Sequence, residues 1–149
     1  MRELFAILIS ILAISTVAEA ATMQGLAKAL NISMKDFGEC LDEIHLSDGD
    51  TTKLESVLSQ GKISKEEPKE FLNEFGCFIA CAFEKANIMK NKEIQLTQLI
   101  QTAERMNIHV NDEVKQKLID CINKAKEQEE KCQIGLEFTT CFTQNVLRH

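Results

Sequence analysis

The chain has 149 residues, six cysteines and a formal net charge of −6 at pH 7. An acidic protein without a run of lysine or arginine is a poor partner for nucleic acid, because affinity for phosphates depends on clustered basic side chains. The length suits a single domain.

The N-terminus has the pattern of a secretory signal peptide. Arg2 precedes an apolar run that ends in Ala-Glu-Ala at 18–20, an A-x-A cleavage pattern. A membrane anchor is the alternative, but the run is short for a span and no basic segment follows it. We therefore predict a signal peptide over residues 1–20 and a mature domain over 21–149. This predicts a secreted, extracellular protein with no stable membrane association.

The first part of the mature chain contains a stripe of apolar residues at intervals of three and four, which indicates helix. The stripe fits one long helix, or two if Ser33 and Asp36 cap a second one. A turn at 47–50 and a short helix over Thr51–Gln60 follow. The residues of the stripe are Met23, Leu26, Leu30, Met34, Phe37, Leu41 and Ile44.

The rest of the chain also favours helices. Ser64 and Glu67 form a capping box before a helix that runs to about Asn87. Further helices are predicted over Lys92–Met106, from Asn111 or Asp112 to about Gln128, and from about Glu130 to Val146. The prediction is an all-α, compact domain of six to seven helices. The aligned apolar residues of the last three helices are Leu96, Leu99, Ile100 and Ala103; Val114, Leu118, Cys121, Ile122 and Ala125; and Ile134, Phe138, Cys141 and Phe142.

All six cysteines follow the predicted cleavage site, and an even count in a secreted chain predicts three disulfides. Cys77 and Cys81 are not expected to bond each other, because Cβ atoms one helical turn apart are about 5–6 Å from each other and a disulfide needs about 3.8 Å. Cys132 and Cys141 fall on opposite sides of one continuous helix, so they should also face different neighbours. Several pairings remain open.

Two explanations for three disulfides are open. A secreted domain of this length can be stable through core packing alone. Disulfides worth about 3 kcal/mol each then add to the stability of the folded state. Alternatively the core is hollow, and the cross-links offset the packing energy that a cavity forfeits.

The cysteine spacing is Cys40-x36-Cys77-x3-Cys81-x39-Cys121-x10-Cys132-x8-Cys141. This pattern resembles insect odorant-binding proteins of the six-cysteine pheromone/general-odorant-binding class, and the resemblance covers the whole mature chain. The x3 and x8 gaps are its specific part. The x36 gap is longer than the commonest pattern and is similar to a hymenopteran branch that includes ant pheromone-binding proteins.

The resemblance implies three interlocked disulfides, Cys40–Cys81, Cys77–Cys132 and Cys121–Cys141, around an apolar cavity. It implies a carrier of small hydrophobic odorants or pheromones through sensillum lymph or haemolymph. An odorant receptor and a second copy of the chain are further candidate partners. Two alternatives are a non-olfactory scavenger of lipids or amines with the same fold, and a helical secreted signalling ligand.

No nucleophile is paired with a base and no metal or cofactor motif occurs, so we expect neither an enzyme nor a cofactor. The chain has no Trp or Tyr, so hydrogen bonds to a ligand would come from Ser, Thr, Asn, Gln, His or backbone groups. Thr139, Thr140 and Thr143 are candidates on the last predicted helix. The expected apolar ligand contacts have plain core packing as their alternative. These contacts are Phe71, Phe75, Phe78, Ile79, Leu96, Ile100, Leu118, Ile122, Phe138 and Phe142.

Overall fold

The computed structural model describes residues 27–44, 53 and 66–146. Residues 27–30 are helical, and the all-α class is confirmed. A two-stranded antiparallel hairpin, formed by β1 (Met89–Lys90) and β2 (Glu93–Ile94), lies between the second and third of five further helices. Those helices are α1 (Met34–Glu43), α2 (Lys69–Lys85), α3 (Leu96–Arg105), α4 (Asp112–Ala125) and α5 (Lys131–Asn145).

The predicted signal peptide over residues 1–20 lies outside the described residues and stays a prediction. The same holds for the predicted helix over Thr51–Gln60, of which only Lys53 is described, in helical conformation. Within the described ranges, no helix combines the length and the apolar character that crossing a membrane requires.

The first apolar stripe forms two helices, because the chain turns at Asn31. Asn31 has a φ of 59°, and its N–H donates to the carbonyl of Lys28 while that of Ile32 donates to the carbonyl of Ala27. This pair of bonds is a Schellman ending, with asparagine in the left-handed position that glycine usually takes. Ser33 then caps α1 as predicted, since its hydroxyl accepts the N–H of Asp36 at 3.0 Å.

The same Asn-Ile pair ends two more helices. Asn87 and Asn107 both have a φ of 62°. The N–H groups of Ile88 and Ile108 reach the carbonyl five residues earlier, at 2.8 and 2.9 Å. Asparagine tolerates the left-handed region better than other residues with a Cβ, so it can stop a helix without glycine.

The helix predicted over Lys92–Met106 is wrong at its start, because residues 89–94 form the hairpin. Asn91 and Lys92 have φ values of 51° and 65°, the positive angles that a tight hairpin turn requires. Met89 pairs with Ile94, and both side chains are buried. Strands of two residues are too short to show alternation, and the turn lacks the usual glycine.

The predicted capping box does not start α2. The helix begins at Lys69, directly after Pro68. Glu67 lies outside the helix, because a residue that precedes a proline disfavours the helical region of backbone angles. The Glu67 carboxylate instead lies 3.0 Å from the Lys53 ammonium, which sits 5.6 Å from the centroid of the Phe71 ring. Ser64 lies outside the described residues.

Three disulfides join four helices in the order α1, α2, α5, α4. Cys40–Cys81 ties α1 to α2 and Cys121–Cys141 ties α4 to α5, with Cα atoms 5.6 and 5.5 Å apart. Cys77–Cys132 ties α2 to α5. The pairing that the resemblance implied is confirmed, and no cysteine is free.

The backbones of α2 and α5 lie in direct contact where they cross. The Cα atoms of Cys77 and Cys132 are 4.1 Å apart. A Cβ on Gly76 would overlap the carbonyl oxygen of Cys132, and a Cβ on Gly135 would lie 2.7 Å from the carbonyl oxygen of Gly76. Only residues without a side chain fit at these two positions.

Two ion pairs of Lys85 also link α2 to α1, and the longer one reaches the Asp36 carboxylate at 3.9 Å. The Lys85 ammonium lies 3.0 Å from the Glu39 carboxylate. Its hydrogen bond and charge hold the pKa of Glu39 below the ordinary value of 4.5, and the carboxylate raises the pKa of Lys85 above its ordinary 10.5. Both groups face solvent, so their contribution to stability is small and screened by salt.

Replacement of Gly76 by alanine should lower the free energy of unfolding by about 1–3 kcal/mol, since the added methyl group forces apart two helices that a disulfide holds together. Gly38→Ala in α1 is the matched control, because no described atom lies within 4 Å of a Cβ there. It should raise the free energy of unfolding by about 0.5–1 kcal/mol. Urea unfolding of the oxidised proteins measures both. Equal effects would contradict the close crossing.

Glu39→Gln should lower the thermal midpoint slightly at neutral pH. A carboxylate with a lowered pKa stabilises the fold above its unfolded value, and this contribution disappears as pH falls from 4.5 through the lowered pKa. The wild-type and variant midpoints, followed by circular dichroism, should therefore converge in acid. Persistence of the full difference in acid would rule out the ion pair as its cause.

Candidate functional site

An apolar cavity of about 100 Å³ lies between the C-terminal part of α2, helix α3 and helix α5. The helical segment at 27–30 contributes Leu30 to its wall. The cavity is lined by Leu30, Phe83, Ile88, Leu99, Thr102, Ala103, Met106, Phe138, Thr139 and Phe142.

An aromatic row forms one wall. The ring of Phe83 on α2 meets that of Phe138 on α5 nearly edge-on, with centroids 5.8 Å apart. Phe138 in turn stacks on Phe142 one turn later, at 5.9 Å. The close crossing of α2 and α5 places these rings in contact across the two helices. Such aromatic pairs prefer these geometries and add to the energy of simple burial.

Helix α3 forms the opposite wall. Leu99, Thr102 and Ala103 follow the i, i+3, i+4 spacing of one helical face, and all three are buried. Ile88, placed by the Schellman ending of α2, closes the gap between α2 and α3. The hydroxyl of Thr102 donates to the carbonyl of Gln98 at 2.9 Å, so its proton is already used.

Thr139 on α5 also lines the cavity, and its hydroxyl, unlike that of Thr102, is unpaired within the described structure. Its hydroxyl oxygen is buried and has no hydrogen-bond partner among the described residues. A buried hydroxyl that loses its bonds to water without replacement costs about 1–3 kcal/mol. Apart from Thr102, the described side chains that line the cavity around it are apolar.

Met106 lies where the cavity is nearest to an open cleft at the surface. Its side chain lines both the cavity and an open cleft formed with Lys28, Ala29, Asn31 and Arg105. It is 38 % exposed although it is apolar. The Arg105 guanidinium donates to the carbonyl of Ala29 at 3.1 Å and so ties the 27–30 segment to the end of α3 beside this side chain. A flexible methionine in this place can move aside more easily than a branched residue.

The structure brings only Phe138 and Phe142 of the ten predicted ligand contacts to this cavity. Leu96 and Ile100 are half-buried on α3, beside the face that lines it. Ligand contact at all ten positions stays a prediction. The other six side chains are buried and line other parts of the interior: Phe71, Phe75, Phe78, Ile79, Leu118 and Ile122.

Sequence reasoning missed most of the wall for identifiable reasons. Phe83 belongs to the same apolar arc of α2 as the predicted phenylalanines, and Leu99 and Ala103 belong to the predicted face of α3. Ile88 and Met106 lie just beyond helix ends, where periodicity carries no information. The Asn-Ile pair is the signal that could have placed Ile88.

Within the described ranges, no group of three or more His, Cys, Asp or Glu side chains is placed to hold a metal ion. None of the described residues that line the cavity is charged. The arrangement suits burial of a neutral molecule that is mostly apolar.

A model of the PBP/GOBP family matches residues 25–145. No curated protein and no solved structure matches the chain. The matched range includes all six cysteines and every residue of the cavity wall, and it confirms the resemblance drawn from the cysteine spacing.

Met106→Ala should speed exchange of a small apolar molecule between the cavity and water severalfold, because it removes the side chain between them. Met34→Ala is the matched control, since Met34 is 50 % exposed on α1 and lines neither space. Stopped-flow fluorescence of an apolar naphthylamine probe measures both rates. Identical rates in the two variants would place the opening elsewhere.

Proposed function

Since the chain belongs to the PBP/GOBP family, we propose that it carries a small hydrophobic odorant or pheromone in the cavity between α2, α3 and α5. Members of this family are secreted binding proteins for such molecules, not enzymes. The finer proposal is that this chain takes up its ligand through the cleft at Met106, transports it through sensillum lymph or haemolymph, and leaves it chemically unchanged.

The observation that carries the proposal is an apolar cavity that shares one flexible lining side chain, Met106, with an open cleft. Each methylene group moved from water into such a space contributes about 0.8 kcal/mol. Affinity should therefore rise with the apolar size of the ligand until the cavity is full. Ligand shape, more than ligand charge, sets the preference, because the described lining residues include no charged side chain.

The cavity is small for this role. Ligand pockets commonly measure about 300–1,000 Å³, whereas this one measures about 100 Å³. We propose that it receives a compact ligand as it stands and admits a longer one when Met106 moves outward into the cleft. A thioether side chain with three rotatable bonds is suited to such adjustment.

Two alternatives find less support. A scavenger of amines needs an acidic partner for the ammonium group, and no acidic side chain occurs among the described residues that line the cavity. A signalling ligand acts through its surface and gains nothing from a hollow interior. Delivery to a receptor, a homodimer and removal of residues 1–20 as a signal peptide all belong to the proposal.

Ala103→Leu should abolish binding of an apolar fluorescent probe while the protein stays folded. Ala103 is buried in the cavity wall on α3, so leucine there would place its branched side chain in the space that the ligand needs. Gln101→Leu adds the same residue on the exposed side of the same helix and should leave probe affinity unchanged.

Displacement titrations with ketones, esters and hydrocarbons measure the effect, and circular dichroism confirms folding of both variants. Unchanged affinity in the Ala103→Leu protein would exclude this cavity as the binding site. Failure of the wild-type protein to bind any apolar probe would end the carrier proposal.

A further inference from the structure

The polar group left unpaired in the cavity wall indicates what kind of molecule completes it. We propose that the Thr139 hydroxyl donates a hydrogen bond to one oxygen acceptor on a neutral ligand, which makes Thr139 a specificity-determining residue. The ligand class is then a ketone, aldehyde or ester with a hydrocarbon remainder. This inference rests on the proposed function, because it concerns the same cavity.

Comparison with the other threonines of α5 shows that the free hydroxyl is particular to one position. Thr140 donates to the carbonyl of Leu136 at 2.8 Å, and Thr143 donates to the carbonyl of Thr140 at 3.0 Å. Such bonds to the preceding turn are the usual way in which a helical threonine satisfies its proton. The Thr139 hydroxyl makes no such bond.

The surroundings of Thr139 define the rest of the ligand. Phe138 and Phe142 flank it on α5 and line the same cavity, so the part of the ligand next to the oxygen must be apolar. The second hydroxyl of the wall, on Thr102, has already given its proton to Gln98. Among the described residues that line it, the cavity therefore offers one free donor, and a ligand with a second, separate acceptor would leave that acceptor unpaired by them.

The test compares two ligands of the same shape: methyl hexyl ketone, and the alkene in which a methylene group replaces the carbonyl oxygen. Displacement titrations with an apolar naphthylamine probe give both affinities for the wild-type protein, Thr139→Val and Thr102→Val. Valine has nearly the shape of threonine. Thr102→Val is the matched control, because it removes a hydroxyl from the same wall whose proton bonds the backbone.

Thr139→Val should lower the ratio of ketone affinity to alkene affinity about three- to tenfold, which is the range for one neutral hydrogen bond. Thr102→Val should leave that ratio unchanged. Thr139→Ser, which keeps the hydroxyl, should stay close to wild type, and its comparison with Thr139→Ala gives the same answer if the valine variant does not fold.

An unchanged ratio in Thr139→Val, or an equal fall in Thr102→Val, would overturn the inference and leave the carrier proposal standing. If the wild-type protein binds neither ligand nor the probe, the carrier proposal fails, and this inference fails with it. The two failures are therefore distinguished by the wild-type titration alone.

Discussion

The contact between α2 and α5 is the constraint on which the rest of this structure depends. Gly76 and Gly135 remove the side chains that would hold the two helices apart, and the Cys77–Cys132 disulfide fixes the distance that results. The two helices then act as one unit with two edges. One edge carries the disulfide to α1 and the other the disulfide to α4.

The cavity follows from this geometry. Phe83 near the end of α2 meets Phe138 on α5, on the C-terminal side of the close approach at Gly76 and Gly135. Toward the C-terminal end of α2, the space between the two helices and α3 is filled partly by rings and not completely. The row of phenylalanine rings lines one side of the cavity. On the other side α3 contributes Leu99, Thr102 and Ala103, and the small side chain of Ala103 leaves part of the space unfilled. An interior packed throughout would have needed a larger residue there.

Sequence reasoning predicted the helices well where periodicity is long, as in α4, whose cap at Asn111 accepts the N–H of Val114 as expected for a capping residue. It failed at the hairpin of residues 89–94, because two-residue strands leave no pattern and Lys92 takes a position where glycine is usual. The disulfide pairing came from the resemblance, since spacing alone left several choices.

The cavity wall was largely missed by sequence reasoning. Its residues come from helix faces that look like core, and from Ile88 and Met106 beyond helix ends. Thr139 could be named among three threonines but not chosen, because only the three-dimensional structure shows which hydroxyls already bond the backbone.

The cross-links are distributed unevenly around the cavity. Each of α1, α2, α4 and α5 carries a cysteine in a disulfide, whereas α3 has none in its sequence. Around one small cavity the molecule therefore combines helices that are cross-linked by disulfides with helix α3, which packs against them and is hydrogen-bonded to the 27–30 segment through Arg105. Under the proposed carrier function, substitutions in α3 are therefore expected to change the size of ligand that the cavity accepts with less effect on the free energy of unfolding than substitutions in the disulfide-linked helices.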